Sequence, residues 1–390
     1  MSLRIMTVYG TRPEAIKVAP IITAIEADPE FESTTVVTGQ HREMLDQVNT
    51  MFGIEPDHDM NIMAAGQTLN GVAAKVIAGL DEILAEEKPD VVIVQGDTTT
   101  VMGAAIATFN RHIPVVHLEA GLRSGHIDSP FPEEANRKLT SQITALHLAP
   151  TSTSKDNLTR EDISENDIVI TGNSVIDTLM FATKTLEVHF GDERLEALQQ
   201  AKKAGSGGRI LLVTAHRREN IGEGMADIGA GVAELARRYP DLTVVFPIHR
   251  NPKVRESIMP AIADLENVLL IEPLAYAEFT RALSLADIVL TDSGGVQEEA
   301  PSLGKPVLVM RENTERPEAV VAGTVKLIGT KRQRIIDEVS LLLDSEEAYK
   351  GMANAVNPYG DGKAAERTIA AIKWKFSGGE KPADFGTDVS

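Results

Sequence analysis

The sequence predicts an α/β protein built from two doubly wound parallel sheets, and three observations predict it. Short apolar runs alternate with longer segments of helical periodicity, the pattern of parallel strands covered on both faces. The alternation restarts after a polar, glycine-rich stretch, Lys202–Gly208. At 390 residues the chain exceeds a typical single core, so two domains are the natural division.

The first half carries apolar runs at Ile5–Tyr9, Thr35–Thr38, Val91–Gln95, Val115–Glu119 and Ile168–Thr171. Helical patterns lie between them, for example Thr68–Glu86 and Thr98–Asn110. Lys202–Gly208 reads as a loop, and its glycines precede a strand rather than follow one, so it is no dinucleotide fingerprint. The second half carries runs at Ile210–Thr214, Thr243–Pro247, Val268–Ile271, Ile288–Thr291, Val307–Met310 and Val325–Ile328. The halves open alike: RIMTVYGTRPEAIK (Arg4–Lys17) and RILLVTAHRRENIG (Arg209–Gly222) each pass from strand into a polar, basic loop before a helix. Two such domains facing each other across a central cleft is the expected architecture.

Composition excludes several functions. Cysteine is absent, which removes disulfides, thiolate chemistry and Cys-based metal sites. No apolar run reaches membrane-spanning length and no signal-peptide pattern opens the chain, so a cytoplasmic location without membrane contact is expected. A net charge of −19 argues against nucleic acid. It also means that a phosphate ligand would need bases concentrated at its site.

Ligands of doubly wound sheets bind beyond the carboxyl ends of the strands. Arg12 and Lys17 follow the first strand, Asp97 follows Val91–Val94, and Glu119 closes Val115–Leu118. In the second half His216, Arg217 and Arg218 follow Ile210–Thr214, and His249 and Arg250 follow Val244–Ile248. The stretch Ile288–Met310 reads as strand, a bare Ser293-Gly294-Gly295 turn, a helix with Glu298 and Glu299, a stop at Gly304, and a strand. Backbone N–H groups at such a turn can approach a ligand closely and the helix start adds partial positive charge, which suits phosphate.

Each of these residues also has a plain structural reading. The glycines could make a tight bend, Asp97 an N-cap, Glu119 a salt-bridged loop acid, Lys17 a solvated helix residue, and Arg217-Arg218 a surface pair. Glu133 and Glu134, behind Pro132, are expected at a helix start for dipole reasons alone. For Glu133 and Glu134 the two readings stand level, whereas the common placement of the glycine turn, Asp97, Glu119, Lys17 and Arg217-Arg218 at the cleft favours a site.

With these residues assembled, the chain resembles the non-hydrolysing UDP-N-acetylglucosamine 2-epimerase family from Val8 to about Ile372. The matching blocks are GTRPEAIK at Gly10, QHREMLDQV at Gln40, GDTTT at Gly96, HLEAGLRSG at His117 and SPFPEEANR at Ser129. TGNSVID at Thr171, TAHRREN at Thr214, DSGGVQEEAPSLGKPVLVMR at Asp292, TERPEAV at Thr314 and NPYGDG at Asn357 complete them. The resemblance implies a GT-B-like pair of Rossmann-like domains, residues 1–173 and 174–360. A helix over 361–376 would cross back onto the first domain, leaving 377–390 as a disordered tail.

The implied reaction interconverts UDP-N-acetylglucosamine and UDP-N-acetylmannosamine for cell-surface polysaccharide synthesis, without metal or nicotinamide, in a homodimer. UDP is eliminated across sugar carbons 1 and 2 to give a 2-acetamidoglucal, then re-added. By resemblance Asp97, Glu119 and Glu133 are the acid/base candidates, and His216 lies close to the diphosphate or sugar. Ser293, Gly294 and Gly295 would hold the diphosphate, Glu299 the ribose, and Phe279 would neighbour uracil. Arg12, Lys17 and Arg316 would supply local positive charge. Gln40, His41, Gln67, Glu134 and Arg217 match a second, allosteric site found in some family members, and Arg250 departs from the neutral residue expected there. A UDP-sugar-dependent glycosyltransferase, a hydrolysing epimerase and a non-catalytic UDP-sugar sensor remain alternatives, the sensor being disfavoured by three carboxylates.

Overall fold

A computed structural model describes residues 2–39, 42–63, 66–314 and 316–386, with the side chains of 42–44 excepted. The chain divides into two units, Met1–Thr178 with Tyr359–Ser390, and Leu179–Pro358. Among the described residues no helix is long and apolar enough to cross a membrane.

Unit 1 is a parallel sheet of β1 (Leu3–Tyr9), β2 (Phe31–Val37), β3 (His58–Asp59), β4 (Val91–Gln95), β5 (Val115–Leu118), β6 (Leu146–Ala149) and β7 (Ile168–Ile170). Their order is β3-β2-β1-β4-β5-β6-β7, so the winding reverses between β1 and β4. The apolar runs of β1 and β4 pack against helices on both faces. One face receives Val72, Val76, Leu80 and Leu84 of helix Leu69–Glu87 and the small residues Ala104 and Ala105 of helix Thr99–Asn110. A Cβ at Gly103 would lie 3.1 Å from Val76, so the missing side chain lets these two helices approach closely. Each fully buried Leu contributes roughly 1.5–3 kcal/mol.

Strands β3 and β6 were not expected. Strand β6 is only four residues long and carries His147, which interrupts the apolar run that marks a central strand. The fold sets that histidine between two backbone carbonyls, one of which takes its ring proton: Nε2 lies 3.0 Å from Ser141 O and Nδ1 3.2 Å from Asp167 O.

Unit 2 is a parallel sheet of β8 (Ile210–Thr214), β9 (Thr243–Pro247), β10 (Val268–Ile271), β11 (Ile288–Thr291), β12 (Val307–Val309) and β13 (Val325–Leu327), ordered β10-β9-β8-β11-β12-β13. Here the reversal falls between β8 and β11. Its core joins Leu211, Val213, Phe246, Leu290 and Leu308 of the sheet to Ile228, Val232, Ile258 and Ile335 of the covering helices. Gly304, at φ +65°, ends the short helical segment before β12, as its sequence position suggested.

The tail departs from expectation. Helix Ala364–Ser377 belongs to unit 1, and the chain after Gly378 returns to the free edge of β7 rather than leaving the fold. Ile170 N donates to Asp384 Oδ1 at 2.8 Å, and Phe385 N donates to Ile170 O at 2.7 Å. Asp384 also pairs with Lys155 at 3.1 Å, and the Arg367 guanidinium lies 5.2 Å from the Phe385 ring centroid. Covering a sheet edge removes a template for pairing with another chain. The polar composition of the segment hid this, because its anchors are backbone groups and one carboxylate. Residues 387–390 lie outside the described residues.

Asp177, near the start of helix Val175–Thr185, caps helix Ala364–Ser377 from a distance: Oδ2 accepts from Ala364 N at 3.1 Å and Oδ1 from Ala365 N at 2.8 Å. Burial pushes its carboxyl up to about 6, against the opposing pull of those two N–H groups. The folded pKa thus exceeds the ordinary value of 3.8, so the folded state favours the proton. Stability from this group is fully present below 3.8 and is lost as pH rises through about 6. Asp177→Asn is therefore expected to gain melting temperature relative to the parent between pH 4 and pH 7. A difference that stays constant over that range refutes the assignment.

Candidate functional site

In unit 1 the connections that follow β1 and β4, at the winding reversal, carry Arg12, Lys17 and Asp97. Gly10 follows β1, and a Cβ there would fall 2.0 Å from Thr38 Oγ1, so only glycine fits. Thr11 then caps helix Arg12–Glu26, with Arg12 half-buried at its first position. Glu14, which the sequence reading did not single out, completes the capping box. Its Oε2 accepts from Gly10 N at 2.6 Å and Thr11 N at 3.0 Å, while Oε1 accepts from Thr98 Oγ1 at 2.7 Å. One buried carboxylate thus ties the β1 turn to the β4 turn. Burial holds it above the usual carboxylate range, with Thr98, Gly10 and Thr11 pulling the other way.

Lys17 lies one turn further along and is not a solvated residue. Its Nζ donates to both oxygens of Glu119, at 2.5 and 2.6 Å. Gln95 Nε2 reaches Glu119 Oε2 at 2.5 Å, and Asn173 Nδ2 reaches Oε1 at 3.2 Å. Three side chains, from a helix, a strand end and a loop, therefore converge on one carboxylate. Glu119 itself has φ +65°, a conformation costing of order 1–3 kcal/mol that persists only where surroundings hold it. The positive charge of Lys17 is accordingly matched by Glu119.

The N-cap of helix Thr99–Asn110 is Thr98, whose Oγ1 accepts from Val101 N at 3.3 Å. Asp97 is thereby left to other work. Its Oδ2 receives Arg137 Nη2 at 2.7 Å and Nε at 2.9 Å. Arg137 also donates from Nη1 to Glu134 Oε2 at 3.0 Å, and Ser124 N donates to the same oxygen at 3.0 Å. Glu133 begins helix Glu133–Gln142 directly after Pro132, half-buried, while Glu134 is fully buried.

In unit 2 the corresponding loops follow β8 and β11. Asp292, with no exposed surface, accepts from His216 N at 2.9 Å, Arg217 N at 2.9 Å and Asn220 Nδ2 at 3.2 Å. His216 Nδ1 lies 3.1 Å from Asp292 Oδ1. Burial alone would raise this carboxyl, but His216 and the two backbone donors more than offset it and hold it below its ordinary value. Asp292 orients His216, whose side chain is 42% exposed and stacks on His249 at 6.0 Å between centroids.

The glycine turn begins helix Gly294–Glu299, with Ser293 N donating to Thr291 Oγ1 at 2.9 Å. A Cβ at Gly294 would lie 2.7 Å from Arg316 Nη1, whereas one at Gly295 would meet open space. Arg316 Nε donates to Glu298 Oε1 at 2.5 Å. Glu298 thus balances the arginine expected to serve a phosphate. Glu299 Oε1 accepts from Tyr276 OH at 3.1 Å, and Phe279 stands half-buried on the same helix, Tyr276–Leu285. A relay of hydrogen bonds supports the turn: Thr314 Oγ1 to Gln297 Oε1 at 2.7 Å, and Gln297 Nε2 to Ser293 O at 3.1 Å.

Of the five residues matched to a second site, Gln40 and His41 lie outside the described residues. Gln67 and Glu134 belong to unit 1, and Arg217 to unit 2. Arg250 is 79% exposed and pairs only loosely with Glu272, at 3.7 Å.

The sequence model of the family described as UDP-N-acetylglucosamine 2-epimerase matches residues 23–373. The chain belongs to that family. The UDP-N-acetylglucosamine 2-epimerase of Escherichia coli strain K12 is 50% identical over 372 residues, 95% of this chain and 98% of its own length. A 2.2 Å crystal structure from Listeria monocytogenes superposes with a TM-score of 0.92 at 46% identity, covering 99% of this chain and 100% of that one. The crystal structure of the Neisseria meningitidis UDP-GlcNAc 2-epimerase bound to UDP-GlcNAc gives 0.83 at 47% identity, covering 95% and 99%. In this 2-epimerase family member the residues that sequence reading missed are Glu14, Gln95, Arg137, Asn173 and Asp292, and two of them had a faint signal. Gln95 ends β4 and Asp292 directly follows β11, where the strand-end rule already pointed.

Proposed function

We propose that this protein interconverts UDP-N-acetylglucosamine and UDP-N-acetylmannosamine by inverting sugar carbon 2, with no acceptor and no release of free sugar. The observation that carries the reading is Asp97 and Glu119 at the carboxyl ends of adjacent strands β4 and β5, in a chain that matches the 2-epimerase family over nearly its whole length.

The proton on carbon 2 is not beside a carbonyl, so direct deprotonation is very hard. In the proposed route a base takes that proton while the bond from carbon 1 to the diphosphate oxygen breaks, giving 2-acetamidoglucal and UDP. An acid then delivers a proton to carbon 2 on the opposite face, and the diphosphate oxygen re-forms its bond to carbon 1. Protons and electron pairs balance, and no redox partner enters. Asp97, Glu119 and Glu133 supply the acid and base, each positioned group contributing about 10²–10⁴-fold. Arg12 and Lys17 would supply local positive charge, and His216 would serve the diphosphate or sugar. Ser293, Gly294 and Gly295 offer backbone donors to the departing diphosphate, Arg316 adds charge where it develops, and Glu299 and Phe279 take the nucleoside.

Incubating the protein with UDP-N-acetylglucosamine alone in deuterium oxide, followed by NMR, tests the reading. The expected result is UDP-N-acetylmannosamine at equilibrium with deuterium at carbon 2. Unchanged substrate sinks it, and accumulating free N-acetylmannosamine with UDP favours the hydrolysing reaction instead.

A further inference from the structure

The turn Gly96-Asp97 joins β4 to helix Thr99–Asn110, and both of its carbonyls are held by buried side chains that the proposed chemistry does not use. His117 Nε2 lies 2.7 Å from Gly96 O. Asn136 Nδ2 donates to Asp97 O at 2.8 Å. Gly96 has φ +84° and its own N–H donates to Leu118 O at 3.0 Å. Both carbonyls of the turn and the Gly96 N–H are therefore committed, and the Asp97 carboxylate is gripped by Arg137.

We infer that His117 and Asn136 are positioning residues that set the direction of the Asp97 carboxylate, an inference resting on the proposed role of Asp97 in proton transfer. The chemistry of the His117 site supports this. A carbonyl only accepts, so the ring proton resides on Nε2. His117 is fully buried in β5, with Val94 of β4 and His147 of β6 as its register neighbours. Burial pushes its imidazole down to about 4, which keeps the ring neutral and its single donor aimed at Gly96 O across the working range. The other ring nitrogen, Nδ1, is buried with no hydrogen-bond partner. An apolar side chain would fill a central strand position at less cost than a half-satisfied imidazole. What the histidine adds is the one bond to Gly96 O.

Asn136 and Arg137 are consecutive on helix Glu133–Gln142, so one helical turn grips Asp97 by its carbonyl and by its carboxylate. The helix that begins with Glu133 thus doubles as the frame for Asp97. His117 restrains the peptide before Asp97 and Asn136 the peptide after it; loss of either lets that peptide tilt, and a shift of about 1 Å at a reacting group costs about 10²-fold in rate.

The test compares His117→Leu, which removes the donor, with His117→Gln, which returns an amide N–H at a similar reach, and with Asn136→Ala. Melting temperature, UDP affinity, KM and kcat for UDP-N-acetylglucosamine are measured on each full-length variant. The expected result is kcat lower by about 10²-fold in His117→Leu and Asn136→Ala, with KM and UDP affinity little changed, and substantial recovery of kcat in His117→Gln. Both His117 variants alter packing, so melting temperature is expected to fall in both, while kcat separates them. Equal loss of kcat in the Leu and Gln variants overturns the inference, as does full activity in His117→Leu. If His117→Leu does not fold, the Asn136→Ala split of kcat from KM decides. An unmutated protein that turns over nothing overturns the functional reading itself and the inference with it, an outcome distinct from active parent with unaffected variants.

Discussion

Asp97→Asn is expected to lower turnover by about 10²–10⁴-fold while leaving UDP affinity essentially unchanged. Asparagine keeps the shape of the side chain and an oxygen that can still accept from Arg137, so the turn capped by Thr98 has no reason to rearrange. What disappears is the capacity to take or give a proton. The groups proposed to hold UDP, Ser293 to Gly295 and Arg316, belong to the other unit and do not depend on this carboxylate. Isothermal titration with UDP and NMR turnover of UDP-N-acetylglucosamine separate the two properties. A large loss of UDP binding contradicts the acid/base role, and unaltered turnover removes Asp97 from the chemistry.

Gly294→Ala is expected to act in the opposite sense, on binding first. The new Cβ would stand 2.7 Å from Nη1 and 3.2 Å from Cζ of Arg316, so the guanidinium must move. Moving it disturbs the 2.5 Å bond to Glu298 and, with it, the contact proposed between Arg316 and the diphosphate. A hydrogen bond to a charged group is worth about 1.5–3 kcal/mol. At about 1.4 kcal/mol per factor of ten, UDP affinity is expected to fall by about 10- to 10²-fold. Gly295→Ala supplies the control. A Cβ there meets nothing within 4 Å, so that variant folds as the parent does, and any loss of affinity reads contact with the ligand itself. Titration of both variants with UDP checks this, and wild-type affinity in Gly294→Ala would separate Arg316 from the diphosphate.

Much of the fold was legible because parallel strands buried on both faces are continuous apolar runs, as in Val91–Gln95 and Ile288–Thr291. The strand β6 was not, since His147 sits in a four-residue element whose compensation comes from Ser141 and Asp167, outside the local pattern. The tail was misread for a related reason: Asp384 and Phe385 are tied down by Ile170, which periodicity around residue 384 cannot reveal.

The candidate site divides the same way. Local pattern and the strand-end rule determined where Asp97, Glu119, His216 and the Ser293-Gly294-Gly295 turn would stand, because a strand's end and the helix after it are written in neighbouring residues. The sequence also carried the family, through long ordered blocks. Tertiary structure alone decided who holds whom: that Lys17 faces Glu119 from 102 residues away, that Asp97 answers to Arg137 rather than to its own helix, and that Arg316 is balanced by Glu298. A hydrogen bond depends on distances of a few tenths of an ångström between groups brought together by the packing of separate elements, and hydrophobic periodicity, which places each element, carries no information about which polar tips then meet.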